Sequence, residues 1–229
     1  MQKISHLDSG RAVGLLLSGM LVLAGGCQSV RQQLLDEVQE RRYFTPANYS
    51  AVSRLPATLR RVVLVPVCGG GVVPPETTEA LQTVFAAELN RQARFEVVQL
   101  ARADCLRRFG APEFASVAAL PHDFLVALGR SFGADGVLFV DVTSYRGYRP
   151  LALGVRAKLA TIGDTRLLWS FDELFSTDEP TVANSVRHFY GDKGGPAVTP
   201  AETWPGALQS PGKFAAYVAA ATFRTLPPR

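Results

Sequence analysis

The sequence predicts a single α/β domain: a mixed sheet, made of a βαβ unit plus a C-terminal antiparallel hairpin, flanked by helices. Three observations predict it. Residues 61–67 (RVVLVPV) and 95–100 (FEVVQL) are β-branched or aromatic runs separated by one amphipathic segment of helix length, the layout of a parallel strand–helix–strand unit. Residues 137–142 (VLFVDV) are apolar on both faces except at Asp141, as a central strand requires. Residues 153–159 and 167–172 alternate apolar and polar side chains around Gly163-Asp164-Thr165, a hairpin signal.

The N-terminus has its own logic. Lys3 and Arg11 form a positive n-region, residues 12–24 are apolar apart from Gly14, Ser18 and Gly19, and Leu23-Ala24-Gly25-Gly26 leads into Cys27. About thirteen apolar residues fall short of the roughly 20 that span a bilayer, which fits a cleaved export signal. The small residues before a cysteine are the layout of a bacterial lipoprotein signal, with Cys27 as the lipidation site and Gln28 after it implying the outer membrane. In the commonest form Leu stands three residues before the cysteine; here that place is Ala24. A covalent lipid on Cys27 would place the protein on the periplasmic face of that membrane, and stable anchoring needs more than one acyl chain.

Residues 28–42 read as a short amphipathic helix or a tether, and residues 43–56, with Pro46, Asn48 and Ser50, as irregular linker. The expected division is 1–26 signal, 27–59 lipidated cysteine and tether, 60–190 α/β domain, and 191–229 a Gly/Pro-rich segment, at the surface over 191–210, with a final helix. Pro74-Pro75 opens the crossover helix, with Leu81, Val84, Phe85 and Leu89 as its apolar face. A short helix over 101–109 ends at Gly110, and another over 123–132 ends at Gly133 with Phe124, Leu125, Leu128 and Phe132 inward. In the hairpin, the odd-numbered residues of both strands point inward. Opposed residues share a face, so a three-residue Gly-Asp-Thr loop sets Leu159 against Trp169 and Arg156 against Asp172. Helices over 180–190 and 213–225 complete the chain, the last carrying Phe214, Tyr217, Val218 and Ala221 on one face.

Composition narrows the function. Net charge is +4, and Lys3, Arg11 and Asp8 of the signal account for one unit of it, leaving +3. So small an excess on an exported chain excludes nucleic acid as the expected partner. Gly69-Gly70-Gly71 follows a strand, but it lacks a Gly-Lys-Ser/Thr and is followed by two prolines that remove N–H donors, so it reads as a turn and no small-molecule cofactor is expected. His122 and His188 have no metal-ligand spacing with another His or Cys, and no Gly-x-Ser-x-Gly elbow is present. Cys68 ends the first strand and Cys105 lies just past the second; an oxidising periplasm makes the pair a disulfide candidate, against the alternative of two buried thiols. Tyr145, Arg146, Tyr148 and Arg149 form an aromatic and basic cluster in one loop, the residue types of binding hot spots, and are the partner-binding candidates.

The order of elements resembles a superfamily of envelope lipoproteins that includes the curli secretion lipoprotein CsgG, the penicillin-binding-protein activator LpoB and the TolB amino-terminal domain. The matching pieces are Val62-Val63-Leu64-Val65-Pro66, Arg94-Phe95-Glu96-Val97-Val98, Gly133-Ala134-Asp135-Gly136-Val137-Leu138 and Leu167-Leu168-Trp169. The resemblance implies an α/β sandwich without catalytic residues, in proteins that assemble with or regulate envelope machines. Connections as short as Arg146-Gly147-Tyr148-Arg149-Pro150 depart from the pore-forming hairpins of the curli channel. The expectation is therefore a non-catalytic binding, assembly or regulatory module whose partner is the membrane, through the lipid, and an envelope protein or a second copy. A membrane-anchored hydrolase and a self-associating structural subunit are the competing readings.

Overall fold

The computed structural model describes residues 43–191 and 206–229. The signal, Cys27 and the residue 28–42 segment lie outside the described residues, as do residues 192–205. The compact unit runs from Phe44 to Arg229.

Its centre is an open, six-stranded mixed sheet. In chain order the strands are β1 (Tyr49–Ala51), β2 (Arg61–Leu64), β3 (Glu96–Gln99), β4 (Gly136–Arg146), β5 (Ala152–Thr161) and β6 (Leu167–Ser176), arranged β1-β6-β5-β4-β2-β3. The helices are α1 (Pro75–Arg91), α2 (Arg102–Phe109), α3 (Phe124–Phe132), α4 (Pro180–Gly191) and α5 (Pro211–Arg224). Strands β3, β2 and β4 are parallel, joined through α1 and then through α2 and α3; β4, β5, β6 and β1 are antiparallel. The expected βαβ unit, central strand and C-terminal hairpin are all present.

The two faces are covered unequally. On one, Val62, Leu64, Leu138, Val140, Val155, Leu159, Trp169 and Phe171 are buried against α1, α4 and α5. Phe85 of α1 meets Phe223 of α5 edge-on at 5.9 Å, and the indole of Trp169 donates to Thr225 Oγ1 at 3.0 Å. The C-terminus is tied down as well: Arg229 donates to the Leu59 carbonyl and the Pro228 carbonyl accepts from Leu55. On the other face α2 and α3 cover only the parallel end, packing Cys105, Phe124 and Leu128 on Val63, Val65, Val137 and Phe139. Gly110 and Gly133 end these two helices with φ of 81° and 58°, the left-handed cap that glycine adopts without penalty.

Five expectations are corrected. Tyr49–Ala51, read as linker, is an edge strand paired with β6; three exposed residues carry no hydrophobic period to announce it. Strand β4 runs on to Arg146, so Tyr145 and Arg146 belong to a strand rather than to a loop. The hairpin loop has four residues, 162–165, closed by a hydrogen bond from the Thr161 amide to the Arg166 carbonyl. Leu159 still faces Trp169 and Arg156 still faces Asp172, because an extra residue at Leu168 shifts the register and restores the parity. That bulge buries Leu168 beside Trp169 and leaves Leu167, expected inward, 50% exposed. In the stretch after α4, Ala207 and Leu208 are buried rather than at the surface.

Candidate functional site

Two places gather polar groups. The first is the crevice at the carboxyl ends of β2 and β3, where successive connections leave to opposite faces of the sheet and ligands commonly bind in α/β folds. It is lined by the Gly69–Pro75 connection, Arg102, Pro112 and Glu113, with a cavity of about 790 Å³. Its charged groups pair with one another, although Arg102 Nε is buried without a hydrogen-bond partner. Glu113 pairs with Arg102 and accepts the Gly69 amide at 3.0 Å; Arg102 also donates to the Val67 carbonyl. Burial opposes the Glu113 charge, but the hydrogen bond and charge of Arg102, helped by Cys68 and the Gly69 amide, outweigh it and hold the carboxyl below its ordinary value.

Cys68 and Cys105 are both free and buried in this structure, where the sequence spacing allowed a disulfide. They belong to different surroundings. Cys68 bridges to Asp141 of β4 and meets Glu113; Cys105 sits in the aromatic cluster of α2 and α3. Burial, reinforced by Glu113, pushes the Cys68 thiol up to about 11, and burial likewise pushes Cys105 to about 11. Such thiols stay protonated at neutral pH, the opposite of an activated nucleophile. This crevice closes the end of the sheet.

The second place is the face of β5, β6 and β1 opposite α4 and α5. Helix α3 reaches it at Ala160 and Ile162, while Arg156, Lys158, Ser170 and Asp172 stay half-buried. Arg156 and Lys158 of β5, Ser170 and Asp172 of β6, and Ser50 of β1 share this face and line a groove of about 310 Å³. One row across the sheet is Asp141–Arg156–Asp172. Arg156 Nε donates to Asp172 Oδ2 at 2.8 Å. Asp141, the one polar residue of the central run, is buried and accepts from the Ser116 amide at 2.9 Å and the Ser116 hydroxyl at 2.6 Å. Lys158 Nζ donates to the Ser116 carbonyl at 3.0 Å. The connection between α2 and α3 is thus stapled to the border of the polar face. Only Asp141 was conspicuous in the sequence; the polar residues of β5 and β6 looked like the solvated side of an ordinary hairpin.

The aromatic and basic cluster does not stay together. A bulge between Val142 and Ser144 turns Tyr145 toward the core side, where it is half-buried. Arg146 pairs with Asp178 at 2.9 Å and donates to the Pro150 carbonyl. Tyr148 and Arg149 remain exposed, before a cis Arg149–Pro150 bond. His122 and His188 are exposed on separate elements, and no group of three or more His, Cys, Asp or Glu among the described residues is arranged to hold a metal ion. Among the same residues no helix is long and apolar enough to cross a membrane.

Fold and site together define an open α/β domain, sandwiched by helices at its parallel end and with a half-buried polar face at its antiparallel end. No protein-family model matches the chain, and no curated protein does. Among solved structures, it is similar to the PelC dodecamer from Paraburkholderia phytofirmans (13% identity, TM-score 0.42, covering 79% of this chain and 96% of that one). It is also similar to lipoprotein GNA1162 from Neisseria meningitidis (22%, 0.38, 51% and 79%) and to the LpoB C-terminal domain from Salmonella enterica (13%, 0.35, 62% and 93%).

Proposed function

We propose that this protein is a bacterial envelope lipoprotein, anchored through Cys27 at the periplasmic face of the outer membrane, and that its α/β domain acts by binding rather than by catalysis. The observation that carries the reading is the polar face: a ten-residue strand pair, β5 and β6, has its far side packed on α4 and α5, and on its near side α3 meets β5 at Ala160 while Arg156, Lys158, Ser170 and Asp172 stay half-buried. Antiparallel sheets tolerate such a face, and it offers a rigid platform with preset polar groups. The crevice at the other end has its charges mutually paired and its thiols protonated, so its chemistry supports closure of the fold.

Anchoring gives the platform its use. From Cys27 to Phe44, where the compact unit begins, the chain reaches at most about 60 Å when fully extended. Confinement near the membrane raises the effective concentration of the face for a neighbouring partner.

Mild crosslinking and copurification of the full chain from its own membranes tests this, with Cys27→Ala beside it. The wild type is expected in the membrane fraction with one defined envelope protein, and the variant to lose both. A soluble wild-type protein, or a membrane-bound one that captures only itself or nothing, contradicts the reading.

A further inference from the structure

We propose that the end of the sheet where the parallel strands begin docks on the anionic headgroups of the membrane surface, so that its arginines set the tethered domain end-on. The inference rests on the anchoring through Cys27 and adds an orientation to it.

Strand register collects the charges. Arg61 of β2 lies beside Glu96 of β3, and Gly136 of β4 lies beside Val62 and opposite Thr161 of β5, so these strands share one end. Arg60 and Arg94 stand just ahead of β2 and β3 there. Strand β1 runs antiparallel to β6 toward the same end, and Arg54 follows it. On the side of α2 and α3, Arg130 is in the last turn of α3, which leads into β4, and Arg108 reaches Ser131 Oγ at 2.9 Å.

The acids of this end are already engaged. Glu96 pairs with Arg61 at 2.8 Å, and Glu88 pairs with Arg91. Asp135 accepts the Arg60 and Arg61 amides at 2.9 and 3.0 Å. Asp164 accepts from the Thr161 hydroxyl and lies 3.9 Å from Arg166. Among the described residues no carboxylate lies within ion-pair distance of Arg54, Arg60, Arg94, Arg108 or Arg130, and all of these but the half-buried Arg94 are exposed. A helix C-terminus favours a cation, which accounts for Arg108 and Arg130. Arg54, Arg60 and Arg94 end no helix. The opposite end has the opposite sign: α1 carries Glu76 and Glu79 near its start, Asp123 precedes α3, and Asp178 and Glu179 precede α4.

The occupant follows from the spread of the charges and from the tether. The arginines lie on both sides of the sheet end instead of gathering around one cavity, which suits a field of phosphates more than a single ligand. A basic patch of this kind supplements an acyl chain at an anionic surface. The chain enters the unit at the other end, where Phe44 packs on Phe175 of β6 at 5.1 Å. The 11 residues of β4 span about 36 Å, and the stretch from Cys27 to Phe44 reaches about 60 Å, so the tether is long enough to bring the basic end down to the membrane.

The test reconstitutes the full-length lipidated protein into vesicles of phosphatidylcholine alone or of an equimolar mixture with phosphatidylglycerol. A fluorescent amino acid is placed at Ala57, between Arg54 and Arg60, or at Tyr148, exposed in the β4–β5 connection of the opposite end. Energy transfer to a headgroup-labelled lipid is expected to rise about twofold at Ala57 when the anionic lipid is present, and not at Tyr148. Salt at about 1 M, where screening shortens to roughly 3 Å, is expected to remove the rise. Arg60→Glu and, separately, Arg130→Glu are each expected to abolish most of it, and Arg149→Glu, at the opposite end, to leave it. Equal transfer on the two vesicles, an equal rise at both probes, or equal loss in all three variants overturns the proposal. So does loss of the rise to inorganic phosphate at the headgroup concentration, because the end would then hold a single anion. Protein that floats with both vesicles but shows flat transfer sinks the docking alone; protein that floats with neither sinks the anchored reading as well.

Discussion

Lys158, Glu113 and Thr165 show how single residues divide the labour between platform and scaffold. Glu113 serves the scaffold, and its pH dependence has a definite sign. Its folded pKa lies below the ordinary carboxylate value, so its contribution is present above that value, near about pH 4, and is lost as pH falls through the folded one. Glu113→Gln is expected to cost about 1.5–3 kcal/mol at neutral pH, the worth of bonds to a charged group, and progressively less on acidification. Urea unfolding of both proteins across that range checks it; parallel curves contradict it. The thiols give a second test. With both raised to about 11, native Cys68 and Cys105 are expected to resist iodoacetamide at neutral pH, and two thiols to appear on unfolding without reductant. A count of zero would restore the disulfide. Thr165 holds φ at 53°, a strained position for a β-branched residue. Thr165→Gly is expected to stabilise by about 1 kcal/mol in thermal or denaturant unfolding, the left-handed penalty less the added freedom of the unfolded chain.

At the scale of elements, the sequence made legible what has a period and hid what breaks one. Strand β2, helix α1 and strand β3 announce themselves through β-branched runs and a 3–4 apolar spacing, and Leu81, Phe85 and Leu89 are buried as that spacing requires. The pairing of β5 with β6 was readable from parity, yet the loop length was not, because the bulge at Leu168 adds a residue whose apolar side chain fits either face. The second bulge, between Val142 and Ser144, likewise turned a loop cluster into a strand end, and it depends on Gly154 opposite. A Cβ there would stand 2.5 Å from Thr143 Oγ1 and 3.1 Å from the Ser144 amide nitrogen. Gly154→Val is expected to destabilise the domain by about 1–3 kcal/mol, read as a lowered unfolding midpoint. An unchanged midpoint would show that the bulge relaxes freely. Strand β1 was invisible for the opposite reason, since all three residues are exposed and its only signal is the partner it finds. The groove was half legible: the register that sets Leu159 against Trp169 also sets Lys158 against Ser170, but Ser50, over a hundred positions away, joins them only through the β1–β6 pairing.

Within the unit Phe44–Arg229 the two ends of the sheet differ. Its parallel end is closed by helices on both faces, an aromatic cluster of Phe109, Phe114, Phe124 and Phe139, and the Arg102–Glu113 ion pair. Among the described residues its antiparallel end leaves Arg156, Lys158, Ser170 and Asp172 half-buried on one face, and no carboxylate lies within ion-pair distance of Lys158. Closure at one end and a half-buried polar face at the other is the architecture of a platform, and a lipid at Cys27 would hold that platform within a short reach of its membrane. The most direct test places a photo-activatable amino acid at Ser50, on the polar face, and in parallel at Val126, exposed on α3, in cells carrying the full chain. The account predicts one defined adduct with an envelope protein from the probe at Ser50 and none from that at Val126. An adduct formed only from Val126, or from neither position, would contradict it.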